Sequence, residues 1–391
     1  MDKKVKVGII GIGNMGSSHA KTIIEGKCPD LELVAVAENN SKRIDWGKEN
    51  INADITYFDS AIDMLDSGLI DACIVAVPHY QHTEYAIECL KRGIHVMVEK
   101  PAGVYTKQVK EMNAEAEKHH EVVFAMMFNQ RTNCVYRKMR ELIHSGKYGQ
   151  IRRVNWIITN WYRPQAYYDS GDWRATWSGE GGGVLLNQCP HQLDLLQWIC
   201  GMPTKIHAHL HYGKWHDIEV EDDVTAYLEY ANGATGVFIT TTGDAKGTNR
   251  FEVQLDGAKI VVDRDNIMLT EYELSEPEFS KTNKAPFGII PSKEIKVETD
   301  GLNEQHAGVL KAWGASILRG EPLIAGGAEG INGLTLSNAM HLSSWLGKEI
   351  ELPFDEELYY NELMKRVATS KHKKSGNAVF ADTSSSYAGS K

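Results

Sequence analysis

At 391 residues the chain is too long for one ordinary hydrophobic core, and two domains are expected. Its formal net charge of -10, from 52 acidic and 42 basic side chains, gives no general attraction to nucleic acid or to an anionic membrane. No apolar run approaches the ~20 residues of a membrane-spanning helix, and MDKKVKVGIIG passes from a basic start into a strand-like run with no signal-peptide core, so a cytoplasmic protein acting on small molecules is expected.

In chain order, the first 130 residues alternate valine- and isoleucine-rich runs with helical patterns. The runs are Val5–Ile10, Leu31–Ala37, Ala72–Val77, His95–Val98 and Val122–Phe128, and the alternation predicts an α/β domain, a doubly wound parallel sheet, over residues 1–130. Residues 131–353 predict a second α/β domain. Strand-like segments such as IRRVNWIITNWY and KIHAHLHY, with turns at Asn232-Gly233 and Asp256-Gly257, indicate a large open, mainly antiparallel sheet. A helix over 180–200 is expected to pack on it, and helical periodicity returns over Asn303–Leu346. Residues 354–391 read as a polar extension, a mobile tail or an oligomer arm. The six cysteines are scattered without CxxC pairs and read as free thiols.

The first run feeds GIGNMG, in which Gly11, Gly13 and Gly16 fill a GxGxxG pattern between a strand and a helix. Gly11 permits the tight turn, Gly13 lets backbone amides approach a pyrophosphate, and Gly16 lets the helix pack closely on the strand. Ile12, Asn14 and Met15 complete this loop. The second run ends in Glu38, roughly 20 residues on, where a carboxylate accepts ribose hydroxyls and repels a 2′-phosphate, so NAD is favoured over NADP. Lys42 and Arg43 read as a solvated first helical turn. The later GIHVMVEKP puts Glu99, Lys100 and Pro101 at the carboxyl end of a buried strand, the edge where open α/β sheets bind ligands. A lysine there can hydrogen-bond a substrate hydroxyl and stabilise a developing alkoxide.

The ordered set GxGxxG, VPHYQHTEYA, VEKP and GGGVLLNQCPHQLDLLQW, followed by EDDVTAYLEYANGATG and LSNAMHLSSWLGKEIELP, resembles the glucose–fructose oxidoreductase / inositol dehydrogenase / MocA family over about residues 5 to 353. The resemblance implies a Rossmann domain, a following α/β domain whose open sheet often forms oligomer interfaces, and hydride transfer between a nicotinamide and a carbohydrate-like alcohol. It implies Pro78, His82, Glu99, Lys100 and Asn129 beside the cofactor. It also implies an acid-base pair in the glycine-led segment, often Asp and His; here Asn187 stands first and His191 second. In a helix these two share one face. Asparagine can orient a hydroxyl but cannot accept a proton, which concentrates the base role on His191 or on a Lys100 whose pKa is lowered, the two roles being interchangeable at this point. Asp194 either orients the imidazole or faces away.

NWYRPQAYYDSGDWRATW crowds aromatic and basic residues before the glycines. Tyr162, Arg163, Tyr168, Trp173 and Arg174 are substrate candidates beside Lys100, Asn187 and His191, since a pyranose presents both a CH face and hydroxyls; half of the aromatic residues here are expected to fill core. Arg131 in FNQR and His306 are further candidates. No metal site is expected: Cys189 and His191 have no matching ligand pair, and His207, His209 and His211 read as a row on one strand face.

These features predict NAD-dependent oxidation of a ring hydroxyl of a sugar, glycoside or inositol, by resemblance including a glucoside C3-OH, with a downstream lyase as partner and a homodimer or homotetramer as assembly. The alternatives are an NAD-dependent glycosidase working by oxidation, elimination and reduction, and a non-catalytic dinucleotide-binding regulator. The presence of both Lys100 and His191 argues against the regulator.

Overall fold

A computed structural model describes residues 3–51 and 54–371. The first part of the expected 354–391 extension is not a tail: Glu356–Thr369 is a helix that buries Tyr359 and Leu363 in the core, and the part beyond 371 lies outside the described residues. Two sheets organise the chain. The first runs β1 (Val5–Ile10), β2 (Leu31–Ala37), β3 (Thr56–Phe58), β4 (Ala72–Val75), β5 (His95–Val98) and β6 (Phe124–Met126), all parallel, in the order β3-β2-β1-β4-β5-β6. Strands such as β4 are buried at every position, as a sheet covered on both faces requires. The order reverses at β1, so the crevice beyond the carboxyl ends of β1 and β4 is the expected ligand edge.

The second sheet has nine strands, β7 (Ile151–Ile158), β8 (Lys205–Tyr212), β9 (Glu221–Glu229), β10 (Thr235–Thr241), β11 (Asn249–Leu255), β12 (Ala258–Asp263), β13 (Asn266–Tyr272), β14 (Ser292–Val297) and β15 (Ile350–Glu351). Its pairings are antiparallel except β7 with β10. Here the strands alternate. Val154, Trp156 and Ile158 of β7 are buried, with the Trp156 ring stacked 4.1 Å from Phe251, while Ile157 between them faces out. The helices Pro190–Cys200 and Gly330–Leu346 pack against each other, and the second also packs on β8. Among the described residues no helix is long and apolar enough to cross a membrane, and all six cysteines are free.

Two differences from the sequence reading bear on the site. The expected helix over 180–200 begins only at Pro190. Proline is well placed at a first helical position, where no amide bond is lost, and residues 180–189 before it form turns. Asn187 and His191 therefore do not share a helical face. The second difference is that the chain returns to the nucleotide domain. Helix Gln305–Arg319 puts Leu310 and Trp313, both fully buried, into one core cluster with Ile9, Ile74 and Met97 of the parallel sheet. Each such side chain contributes roughly 2–3 kcal/mol of burial.

Candidate active site

The glycine loop fits a dinucleotide. A Cβ on Gly16 would lie 1.9 Å from the Gly11 carbonyl oxygen, so only glycine lets helix Asn14–Ile24 start this close to β1. Beside Gly13 a Cβ would meet nothing nearer than an Arg43 guanidinium nitrogen at 3.5 Å, which leaves an open backbone cradle. Glu38 reaches back to the loop: one carboxylate oxygen accepts from Ile12 N at 3.0 Å and the other from Asn40 N at 3.0 Å. This fixes a carboxylate at the rim of the glycine loop. Lys42 is exposed as expected, whereas Arg43 turns inward and donates to Ile12 O at 3.4 Å. Asn14 and Met15 are half-buried at the loop rim, and Ile12 is fully buried.

Beyond the carboxyl ends of β4 and β5 the residues turn from strand to chemistry. Pro78 is exposed at the start of its turn. His82 is buried, with its ring nitrogens 2.6 Å from Pro101 O and 2.8 Å from Val77 O, so it ties the two loops together rather than presenting a free edge. Glu99 is buried against His19, whose Nε2 lies 2.6 Å away. Burial opposes the Glu99 charge, yet the hydrogen bond and charge of His19, with His306 and Lys100 nearby, hold its pKa at about 2. His306, at the start of the returning helix, has its ring 5.6 Å from that of His19, and burial with the His19 charge pushes its pKa down to about 4.

Lys100 projects from this edge to the second domain, where its Nζ donates to Asn187 O at 2.8 Å. Burial lowers the Lys100 pKa, opposed by Glu99 and Glu180 and assisted by Arg174 and Arg163. His191, in the first turn of its helix, is 2% exposed. Its pKa falls well below the ordinary histidine value, first from burial and then from the Lys100 charge. The structure thus brings Lys100, Asn187, His191 and His306 together, from three separate stretches of chain.

The turn that presents Asn187 is anchored from β9. Glu221, fully buried, accepts from Gly183 N at 2.9 Å and Leu185 N at 3.0 Å, and His341 Nε2 lies 2.9 Å from its other oxygen. A Cβ on Gly183 would sit 2.0 Å from Glu221 O, so the close approach of turn to strand demands glycine there.

The aromatic segment divides. Tyr168 is buried and donates to Thr242 Oγ1 at 2.7 Å, and Trp161 and Trp177 are also buried. Tyr168, expected at the substrate, is therefore a packing residue whose hydroxyl is already engaged. Tyr162 is 46% exposed, and Arg163 lies over the Trp161 and Tyr167 rings. Arg174 is held between Tyr167 and Trp173, 4.6 Å from each centroid, and donates to Tyr167 Oη at 2.9 Å. Arg131, also expected at the substrate, is a buried strut: it grips both Asp194 oxygens at 2.6 and 2.8 Å and reaches Glu329 at 2.7 Å. That accounts for Asp194, which orients Arg131 rather than the imidazole. Asn129 is fully buried and donates to Gln305 Oε1 at 2.6 Å.

Cys189 lies 3.0 Å from Thr240 Oγ1, and the His207 and His209 rings lie side by side on β8, tilted, with centroids 5.2 Å apart. Among the described residues no group of three His, Cys, Asp or Glu side chains could hold a metal ion. Among the buried groups that escaped the sequence reading are His19, His79, Glu180 and Glu221. Glu180 directly precedes the glycines, which was the one available signal; the other three gain meaning only through partners distant in sequence.

Residues 5–127 match the family model for the oxidoreductase family with an NAD-binding Rossmann fold, and residues 136–261 match that for the GFO/IDH/MocA C-terminal domain. The chain is 22% identical over 342 residues to myo-inositol 2-dehydrogenase of Thermotoga maritima, covering 86% of this chain and 95% of that protein. The WlbA dehydrogenase of Chromobacterium violaceum, solved with NADH and UDP-GlcNAcA, superposes with a TM-score of 0.77 at 26% identity, covering 91% of this chain and 98% of that one. Levoglucosan dehydrogenase, solved with NADH and levoglucosan, has the same fold, with a TM-score of 0.74 at 20% identity over 90% of this chain and all of that one.

Proposed function

Because this chain belongs to the Gfo/Idh/MocA family of NAD-binding oxidoreductases, we propose that it oxidises a secondary ring hydroxyl of a sugar, glycoside or inositol. The observation that carries this reading is the meeting of Lys100 with the Asn187 turn at the carboxyl edge of the parallel sheet, with His191 buried beside them. Two of the relatives named above are called dehydrogenases of a cyclitol and of an anhydrosugar, and the Trp173 ring, beside Arg174 and His79, offers a flat face that suits a pyranose.

NAD, when bound, supplies the hydride acceptor. The protein's part is proton handling and orientation. His191, kept neutral by burial, takes the hydroxyl proton, and the Lys100 ammonium steadies the oxygen as negative charge develops. Asn187 Oδ1 and the Arg174–Tyr167 pair orient neighbouring hydroxyls. By resemblance alone this reading extends to a glucoside C3-OH; a 3-oxo product acidifies the C2 proton and would prepare the glycoside for cleavage by a separate lyase. A dimer or tetramer belongs to the same reading, with the outward Ile157 and Tyr227 of the large sheet as subunit contacts.

The test is incubation with NAD and a panel of glucosides, free hexoses and inositols, following NADH absorbance and identifying keto products by mass spectrometry and NMR. A keto product with stoichiometric NADH is expected. No carbonyl formation on any member would overturn the reading, and aglycone release without net NADH would replace it with the glycosidase alternative.

A further inference from the structure

Asn187 joins two groups of opposite charge. Its main-chain oxygen holds Lys100 Nζ at 2.8 Å, while its side-chain Nδ2 donates to Glu180 Oε1. That donation fixes which way the amide points, leaving Oδ1 toward Tyr167 Oη at 3.4 Å, and Tyr167 Oη in turn receives Arg174 at 2.9 Å and Gln188 at 3.2 Å. Glu180 is 2% exposed, and its other oxygen accepts from Ala175 N at 2.6 Å. Its main-chain oxygen lies 3.1 Å from the buried His79 ring.

A carboxylate this deep is costly unless its charge is used. Burial pushes the Glu180 pKa up, and Glu221 adds to that; Arg174, the Ala175 amide and Asn187 oppose it. Around Lys100 stand Glu99 and Glu180 as anions and Arg163 and Arg174 as cations, and its charge is also felt at His79, His82, His191 and His306. Glu99 is already engaged by His19. Glu180 is the carboxylate tied to the same residue that holds the lysine.

We propose that Glu180 is a positioning residue of the active site, fixing through Asn187 the carbonyl that holds Lys100 and supplying the counter-charge to its ammonium. The kinetic part rests on the reading of Lys100 as the group at the reacting oxygen; the counter-charge can be measured without any substrate.

The experiment compares wild type with Glu180→Gln, each checked for folding by thermal melting. The pH dependence of Lys100 acetylation by acetic anhydride, read by peptide mass spectrometry, gives the midpoint of that amine. Loss of the carboxylate is expected to lower the midpoint by about one pH unit, and the limb of the kcat/KM profile that reports Lys100 moves the same way. Adding Asn187→Asp to the Gln variant returns a carboxylate at the other end of the bond and brings the midpoint back up. Where Glu180→Gln alone does not fold, Asn187→Asp is compared with the double variant, whose reversed Gln-to-Asp hydrogen bond preserves the bridge, and the same fall is expected. A midpoint that does not differ between wild type and folded Glu180→Gln, or between Asn187→Asp and the double variant, overturns the proposal. Absence of turnover on every alcohol overturns the functional reading instead and leaves the acetylation midpoint to decide the role of Glu180.

Discussion

At His191 two effects act in the same direction. Burial removes water from the imidazolium, and the Lys100 charge repels it. The folded pKa is lowered, so the neutral, proton-accepting ring persists as pH falls. The acid limb of kcat/KM is therefore expected below the ordinary histidine value of about 6.5, and a limb at or above that value would contradict the assignment. Replacing His191 with Ala is expected to reduce kcat/KM by about 10²–10⁴-fold, with NAD affinity by fluorescence titration unchanged. Glu38 permits a third test at this scale. Glu38→Ala removes the carboxylate from the glycine loop while Arg43 stays beside Ile12. NAD affinity should fall about tenfold and NADP affinity should rise, because the repulsion has gone and a guanidinium remains to meet a 2′-phosphate.

Among the elements, the helix Pro190–Cys200 is locked from below by the Arg131–Asp194 pair, whose side chains are each 1% exposed. Breaking a buried pair strands the remaining charge. Arg131→Met is expected to lower unfolding free energy by about 3–5 kcal/mol, measured by urea denaturation, with a loss of activity that follows the loss of fold. How much of the site was legible depends on the reach of the signals. The placement of the glycine loop, Glu38 and Lys100 at the ends of β1, β2 and β5 was readable because each depends on local spacing around one strand end. The closeness of Asn187 to His191 was readable from their spacing but their shared helical face was not real, because Pro190 starts the helix after Asn187 rather than before it. Arg131 and Tyr168 looked like substrate contacts because sequence gives residue type without direction; the structure turns one to Asp194 and the other to Thr242. His19 meets Glu99 across 80 positions, and no local pattern announces such a contact.

For the whole molecule, the division into a parallel and a mainly antiparallel sheet followed from the change of texture near residue 150, since periodicity and strand spacing survive in any context. The return of helix Gln305–Arg319 to the first sheet did not, because an apolar helix face does not say which sheet it covers. Its consequence is measurable. Residues 1–130 produced alone should aggregate or bind NAD weakly, and a version carrying the 303–324 segment on a linker should recover solubility and NAD affinity, tested by size-exclusion chromatography and fluorescence titration. The order of appearance of these parts during synthesis adds a temporal demand. The strands of the first sheet leave the ribosome well before Leu310 and Trp313, which cover one of their faces. At about 5–20 residues per second that face waits on the order of ten seconds or more for its cover. Until then the nascent chain exposes apolar surface of the kind chaperones bind, over an interval set by where one helix was placed in the sequence.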